Sequence, residues 1–357
     1  MTTRAVRLAE RTLALCGIAS PIGHEGALAD HLEGWARAHF APGDVRRIGH
    51  NLVLGRPGTD GHPTIGLFGH LDTVPAHAGD PPPHLTDTHV VGLGSADMKG
   101  GLALLLQLVE EGVLARSPFH VVVVLYEREE GPYLENGLGP VFEACPDLRG
   151  LDFALCLEPS DNRIQMGCCG ALHAQLVFRG RSAHSARPWQ GENAVHKAGP
   201  LLGELLGRPP AVVEVQGYAF REVMSVTLAQ GGRARNVVPD TFTLNLNYRF
   251  APTRSLEQAQ DEVLRLVDGR AEVTFTDLSP AGPVFADHPL LRRLVERTGA
   301  PVESKQAWTD VARLGTLGIP AVNFGPGESA QAHQAGERTR IDLLGEGHRM
   351  LEAFLVD

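Results

Sequence analysis

Apolar residues along the chain follow two different patterns. Helical spacing predicts an amphipathic helix over residues 4–16, while unbroken apolar or β-branched runs predict buried strands at residues 64–68, 119–125 and 152–157. An apolar helix over residues 102–114 lies between the first two of these strands. Buried strands that alternate with helices are typical of an α/β fold with a mostly parallel central sheet.

The pattern changes after Gly167. Apolar and polar residues now alternate as in half-exposed strands, and the order β-α-β-β-α-β is that of a ferredoxin-like unit. We therefore expect an inserted α+β domain at residues 168–279, between two parts of one α/β domain at residues 1–167 and 280–357. The predicted elements of the insert are residues 172–178, 192–206, 223–229, 241–250, 255–267 and 272–278.

The α/β pattern returns after the insert, with a helix at residues 290–297, a strand at 322–324 and a closing helix at 342–354. Residues 76–89 are rich in His, Pro, Asp and Gly and show no periodicity. They predict an irregular loop over a site, and residues 325–339 predict a second loop after the last strand.

Polar side chains with metal-binding chemistry follow the predicted buried strands. Because the carboxyl ends of parallel strands meet at one edge of a sheet, we expect these side chains to lie close together. Two further candidates come from the turn before the apolar helix and from the loop after the last strand. The set is His70, Asp72, Asp97, Glu129, Glu130, Glu158 and His333.

Two histidines and several carboxylates suit zinc, or another divalent first-row metal, better than magnesium or calcium, which prefer oxygen ligands. Two histidines with three carboxylates exceed what one tetrahedral ion with an open water position needs. This number of ligands favours two metals that share a bridging carboxylate, with a bridging water as the nucleophile.

Each candidate also has an ordinary structural explanation. His70 could be a strand-end histidine with satisfied hydrogen bonds, and Asp97 could cap the following helix. Residues 129–130 could form a solvated acidic turn, Glu158 could be a turn residue, and His333 could lie on the surface. The metal hypothesis rests on their common position at strand ends or in the loops that follow.

Composition narrows the possible partners. The chain is 43% apolar and 21% charged, as in ordinary globular proteins, and its net charge of −10 argues against nucleic acid and anionic membranes as partners. It has no long apolar run and no apolar leader, so we expect a cytoplasmic protein. Five scattered cysteines do not predict a disulfide framework. The adjacent residues Cys168 and Cys169 are expected to be buried or, alternatively, to form a soft-metal site.

Five ordered motifs resemble those of the dizinc amidohydrolase family, which includes succinyl-diaminopimelate desuccinylase, acetylornithine deacetylase, aminoacylase and several carboxypeptidases. The resemblance covers nearly the whole chain. It implies a phosphorylase/hydrolase-like catalytic domain with an inserted lid and dimerisation domain. The motifs are Gly69-His70-Leu71-Asp72-Thr73-Val74-Pro75, Ser95-Ala96-Asp97-Met98-Lys99-Gly100-Gly101, Glu129-Glu130, Glu158-Pro159 and Ala332-His333.

The resemblance also implies the metal ligands. Asp97 would bridge two divalent ions, which would be zinc, with cobalt as the alternative. His70 and Glu158 would complete one site, and Glu130 and His333 the other. A cis peptide is expected after Asp97.

Four further roles follow from the same resemblance. Glu129 would be the general base, and Asp72 would orient the ring of His70. His184, from the lid of a partner subunit in a homodimer, would donate to the tetrahedral oxyanion, with help from Asn236. From the residues alone, His184 could equally cap a helix and Asn236 could only shape its turn.

The insert is similar to that of actinobacterial-type succinyl-diaminopimelate desuccinylases. The similarity implies hydrolysis of N-succinyl-LL-2,6-diaminopimelate to succinate and LL-2,6-diaminopimelate, with Arg249 binding a substrate carboxylate. From the residues alone, Arg249 could be only a surface arginine. Cys168 and Cys169 stand where the proteobacterial enzymes carry carboxylate-binding arginines. Arg187, which is close to His184 in sequence, is therefore a second candidate. The similar segments are residues 167–170, 183–194, 236–240, 247–250 and 308–311.

Two other functions stay open at this point. The same chemistry could act on N-acetylornithine, N-acetyl-lysine or another N-acyl amino acid. The chain could also be a metal-binding or dimeric scaffold without catalysis. Glu129 beside Glu130 argues against the scaffold, because we expect a degenerate member to lose the base or the ligands first.

Overall fold

The computed structural model describes residues 2–357 and divides into two compact units. The first unit comprises the chain up to Gly167 together with Phe285–Glu303 and Thr309–Asp357. The second comprises Cys168–Val284 and Ser304–Trp308. Among residues 2–357, no helix combines the length and the apolar character that are needed to cross a membrane.

The helices and strands outside the insert are as follows. The helices are α1 (Thr3–Cys16), α2 (Gly26–His39), α3 (Gly100–Glu110), α4 (Val113–Arg116), α5 (Leu138–Ala144), α8 (Pro289–Thr298), α9 (Val311–Thr316) and α10 (Ile341–Val356). The strands are β1 (Val45–Ile48), β2 (Asn51–Leu54), β3 (Thr64–His70), β4 (His84–Leu85), β5 (His89–Val91), β6 (His120–Tyr126), β7 (Phe153–Cys156), β8 (Ile164–Met166), β14 (Val302–Ser304), β15 (Ala321–Asn323) and β16 (Arg338–Arg340).

The central sheet has the strand order β1-β2-β6-β3-β7-β15-β8-β14. Its middle strands β6, β3, β7 and β15 run parallel, and antiparallel pairs lie outside them. In this register His70 pairs with Tyr126 and Phe68 pairs with Cys156. The carboxyl ends of β3, β6 and β7 therefore meet at one edge, which confirms the predicted fold class.

Close packing of α3 against the sheet shapes this edge. Every residue of β3 is buried, and so are the residues of α3 from Gly100 to Leu108. Each fully buried leucine contributes about 1.5–3 kcal/mol relative to an exposed one. A Cβ at Gly101 would lie 2.4 Å from the Leu157 carbonyl oxygen. Only glycine lets the start of α3 approach the end of β7 this closely.

The predicted helix over residues 102–114 is wrong at its end. The structure divides it into α3 and α4, because Gly112 adopts φ 65° in the left-handed region. The prediction of an irregular loop over residues 76–89 is also partly wrong. Here β4 and β5 pair with each other, and β16 joins them in a three-stranded sheet with the order β16-β5-β4. Strands this short give no periodic signal in the sequence.

The second unit is a five-stranded antiparallel sheet in the order β10-β11-β12-β9-β13. Without β10 it has the β-α-β-β-α-β order predicted from the sequence. Edge strand β10 was not predicted, because it is only five residues long and none of them is buried: three are exposed and two are partly buried. The elements are β9 (Gly170–Arg179), α6 (Ala194–Gly207), β10 (Ala211–Val215), β11 (Tyr218–Gly231), β12 (Thr241–Phe250), α7 (Leu256–Val267) and β13 (Glu272–Ser279).

The core of the second unit lies between its sheet and its two helices. Alternate residues of β9 and β12 point toward α6 and α7, as the period of two in a strand requires. The buried members are Leu172, Ala174, Leu176, Phe178, Ala194, Ala198, Leu201, Leu244, Leu246, Tyr248, Phe250, Ala259, Val263 and Val267. All five cysteines of the chain are buried as thiols rather than as disulfides.

Candidate metal centre

His70 lies at the last position of β3 and is fully buried. Its Nδ1 is 3.0 Å from the carbonyl oxygen of Asp72, which can only accept a hydrogen bond, so Nδ1 carries the proton. In the neutral ring Nε2 keeps its lone pair, and it lies 3.0 Å from Asp97 Oδ1 and 4.0 Å from Glu158 Oε1. This tautomer presents Nε2 as a ligand atom beside two carboxylates.

A second histidine faces the other side of Asp97. His333 Nε2 is 2.9 Å from Glu130 Oε1 and 3.8 Å from Asp97 Oδ2. The two carboxylate oxygens of Asp97 therefore face two different histidines. The structure brings all five predicted ligands into one cluster in the first unit, with Asp97 in the middle.

Asp97 lies in an irregular turn, Ser95–Lys99, immediately before α3. The Asp97-Met98 peptide is cis, as expected from the family resemblance. The backbone N–H groups of Gly94, Ala96 and Asp97 all donate to the carboxylate of Glu337. Glu337 was not predicted as a site residue. Its only signal in the sequence is that it is a carboxylate four residues after His333.

Asp72 is fully buried and holds two elements of the site at once. Its Oδ1 and Oδ2 accept the backbone N–H groups of Glu129 and Glu130, at 3.0 and 2.9 Å. Its Oδ1 also lies 3.4 Å from Nδ1 of His70. Asp72 therefore fixes the backbone of the acidic pair as well as the histidine ring.

A buried aspartate anchors the segment that follows the acidic pair. Asp310 accepts from Asn136 Nδ2 at 2.8 Å and from Arg313 Nε at 2.9 Å. The Arg313 guanidinium stacks over the ring of Tyr133 at 3.9 Å. Asp310 belongs to the segment 308–311 noted in the sequence, and its partners Asn136 and Arg313 tie that segment to the chain just beyond Glu130.

The electrostatics of the cluster fit bound cations. Burial raises the pKa of Glu129 well above its usual value, and the charge of Glu158 adds to the rise. Burial likewise raises the pKa of Glu130. Burial opposes protonation of His70, yet hydrogen bonds led by that to Asp72 raise its pKa overall. Divalent ions would displace these protons and neutralise the crowded acids, so the donor set fits the metals predicted from the sequence.

One other group of possible ligands occurs among residues 2–357, namely Glu111, His348 and Glu352. Arg4 already pairs with both carboxylates, at 3.0 Å to Glu111 and 3.1 Å to Glu352. This group is therefore a structural ion network that links three helices.

The other predicted site residues lie in the second unit. His184 and Asn236 are neighbours, because Ser185 N–H donates to the Asn236 carbonyl at 2.9 Å. The Arg187 N–H donates to the His184 carbonyl at 2.8 Å, and Arg187 is exposed. Arg249 is half-buried on β12, where its Nε donates to Asn247 Oδ1 at 3.2 Å.

The chain matches a known protein family and is similar to several known proteins. The model of peptidase family M20/M25/M40 matches residues 66–357. A Mycobacterium tuberculosis protein provisionally named as a succinyl-diaminopimelate desuccinylase is 38% identical over 347 residues, covering 97% of both chains. The succinyl-diaminopimelate desuccinylase of Corynebacterium glutamicum is 34% identical, covering 96% of this chain and 95% of that protein.

Solved structures with this fold include a tripeptidase from Staphylococcus aureus, with a TM-score of 0.81, 21% identity, and coverage of 99% of this chain and 98% of the other. An M20 family metallo-carboxypeptidase from Sulfolobus solfataricus matches with a TM-score of 0.77, 15% identity, and coverage of 100% and 99%. At sequence identities this low, the structural similarity shows a shared fold and no more.

Proposed function

This chain belongs to peptidase family M20/M25/M40, and we propose that it is a succinyl-diaminopimelate desuccinylase. It is a metal-dependent amidohydrolase. The proposed reaction adds water across the amide of N-succinyl-LL-2,6-diaminopimelate, breaking the C–N bond to give succinate and LL-2,6-diaminopimelate. The observation that carries the proposal is the largely buried cluster of acids and histidines around Asp97, in a chain with relatives of this name along nearly its whole length.

Two divalent ions, for which we propose zinc, would be held by the clustered residues. His70 and Glu158 would bind one ion, Glu130 and His333 the other, and Asp97 both. When bound, such ions polarise an amide carbonyl and make water more acidic. The two oxygens of Asp97, each turned toward a different histidine, support the bridging role.

Glu129 would be the general base. It would take a proton from the attacking water and return it to the amine nitrogen as the C–N bond breaks. Its position next to Glu130, with the backbone of both residues held by Asp72, supports this role. Burial raises the pKa of Glu129 when no ions are bound, and bound ions would lower it toward the range in which a carboxylate can take a proton from water.

His184 would donate a hydrogen bond to the oxyanion of the tetrahedral intermediate. The Ala186 N–H donates to its Nδ1 at 3.1 Å, so the neutral ring carries its proton on Nε2. That N–H group is the donor such a role requires. We propose that it acts across a homodimer formed through the second unit, with Asn236 assisting from the adjacent turn.

Arg249 would bind a carboxylate of the substrate, with Arg187 as a second candidate. Burial lowers the pKa of the Arg249 guanidinium, and the opposing effects of Cys169, Cys168 and Asp277 do not cancel this. A half-buried cation without full compensation gains from an incoming carboxylate. The succinyl group supplies a carboxylate that an acetyl group lacks, which favours the succinyl substrate over N-acetylornithine and N-acetyl-lysine.

Replacing Arg249 by Ala should raise KM for N-succinyl-LL-2,6-diaminopimelate by about 10- to 100-fold, because a hydrogen bond to a charged group contributes about 1.5–3 kcal/mol. The value of kcat should change much less, since this contact forms in the ground state as well. Steady-state kinetics measures both constants.

Arg179→Ala is the matched control, because Arg179 is an exposed arginine of the same sheet that pairs with Glu272. N-acetyl-LL-2,6-diaminopimelate, tested alongside, shows whether the lost partner is the succinyl carboxylate. An unchanged KM in the Arg249 variant would remove this residue from the substrate site.

A further inference from the structure

We propose that Glu337 is a positioning residue for the metal centre, which holds Asp97 in place through backbone hydrogen bonds. The inference rests on the proposed role of Asp97 as the shared ligand. Glu337 is only 2% exposed. Its Oε1 accepts the N–H groups of Ala96 and Asp97 at 2.7 and 2.9 Å, and its Oε2 accepts that of Gly94 at 2.8 Å.

The turn that carries Asp97 needs such an acceptor. Gly94 has φ 80°, and Asp97 has φ −121° and ψ 95°, so the turn is not a regular helix. Backbone N–H groups buried without a partner cost about 1–3 kcal/mol each. One carboxylate satisfies three of them, and this fixes the peptide planes on both sides of Ala96. The direction of the Asp97 side chain follows from those planes.

Glu337 also links this turn to the loop of the second histidine. It lies four residues after His333, and its carbonyl accepts the Gly92 N–H at 2.9 Å. The next residues, Arg338–Arg340, pair with β5. The same short segment therefore joins the loop of His333 to the turn of Asp97, which the Glu337 side chain holds.

The arrangement repeats the one at Asp72. There, a buried carboxylate accepts the backbone N–H groups of Glu129 and Glu130. Here, Glu337 does the same for Asp97 and its neighbours. Two of the segments that present acidic site residues, those of Asp97 and of Glu129-Glu130, are thus each fixed by a further acid that binds the backbone.

An amide could not replace this carboxylate. A glutamine offers one acceptor oxygen, and its NH2 group would then face a backbone N–H, either that of Gly94 or those of Ala96 and Asp97. Glu337→Gln should therefore loosen part of the turn, and Glu337→Ala all of it. The expected loss in metal affinity is about 10- to 100-fold for Glu337→Ala, the usual effect of removing a partner that orients ligands.

The test is a titration of metal-free protein with Co²⁺, whose visible absorption reports both binding and coordination geometry. Wild type should bind two equivalents. Glu337→Ala should need about 10- to 100-fold more free Co²⁺ and show an altered spectrum, with Glu337→Gln between the two.

Glu222→Gln is the matched control. Glu222 is also a buried carboxylate with three partners, Tyr248, Ala251 and Arg254, but it lies in the second unit. It should lower the melting temperature while leaving Co²⁺ affinity and spectrum unchanged.

Wild-type Co²⁺ affinity and spectrum in Glu337→Ala would overturn the proposal, whatever the activity of that variant. If Glu337→Ala does not fold, Glu337→Gln decides in the same way, since it keeps part of the contacts. Failure of the wild type to bind two Co²⁺ ions would instead overturn the metal assignment on which this inference rests.

Discussion

Replacing Glu129 by Ala should lower kcat by about 10²–10⁴-fold while two metal ions stay bound per chain. The loss follows from removing the group that takes the proton from water and returns it to the leaving amine. The metals should stay, because the proposed ligands are the five other residues of the cluster. Metal analysis of the purified variant, together with kcat on N-succinyl-LL-2,6-diaminopimelate, measures both parts.

Glu135→Ala provides the comparison for this variant. Glu135 is a half-exposed carboxylate a few residues further along the same loop, and it pairs with Arg128 on the surface. Its removal should leave kcat within about twofold, since surface pairs of this kind contribute little. Near-normal turnover in Glu129→Ala would rule out Glu129 as the general base. Loss of the metals would indicate that Glu129 is a ligand.

Replacing Asp97 by Ala should remove both metal ions and with them all measurable turnover. The reason is geometric: its Oδ1 lies 3.0 Å from His70 Nε2, and its Oδ2 lies 3.8 Å from His333 Nε2. One substitution therefore takes a ligand from each proposed site. It also leaves less negative charge in the cluster to balance two divalent ions.

Metal content and activity should be compared with those of Asp147→Ala, in which a surface aspartate paired with Arg46 is removed. That variant should retain two ions and normal turnover. If Asp97→Ala kept one ion at full occupancy, Asp97 would serve a single site. Two ions at full occupancy would exclude it as a ligand.

The parallel register explains why part of the site could be predicted from the sequence. His70 ends strand β3, and the three glutamates follow β6 and β7. The ends of these strands must lie together once the strands are parallel. Their positions follow from the hydrophobic pattern and one rule of sheet geometry. The ferredoxin-like order of the insert could also be predicted from the hydrophobic pattern, because apolar and polar residues alternate along its strands.

Other parts depend on contacts that have no sequence pattern. His333 reaches the cluster from a loop, and pairing of the very short strands β16 and β5 holds the segment that follows it. Glu337 binds backbone N–H groups, which every residue has, so nothing in the sequence points to its partners. Edge strand β10 was missed because four of its five residues are apolar, so its sequence does not alternate as that of a half-buried strand does, and none of them is buried.

The most direct test of the account is a panel of acylated substrates given to the wild-type protein with added Zn²⁺ or Co²⁺. The panel compares kcat/KM for N-succinyl-LL-2,6-diaminopimelate, N-acetylornithine and N-acetyl-lysine. The account predicts at least about a 10-fold preference for the succinyl substrate, the value of one charged contact that the acetyl substrates cannot make. Activity should disappear on chelation and return with metal. A preference for an acetyl substrate would contradict the account.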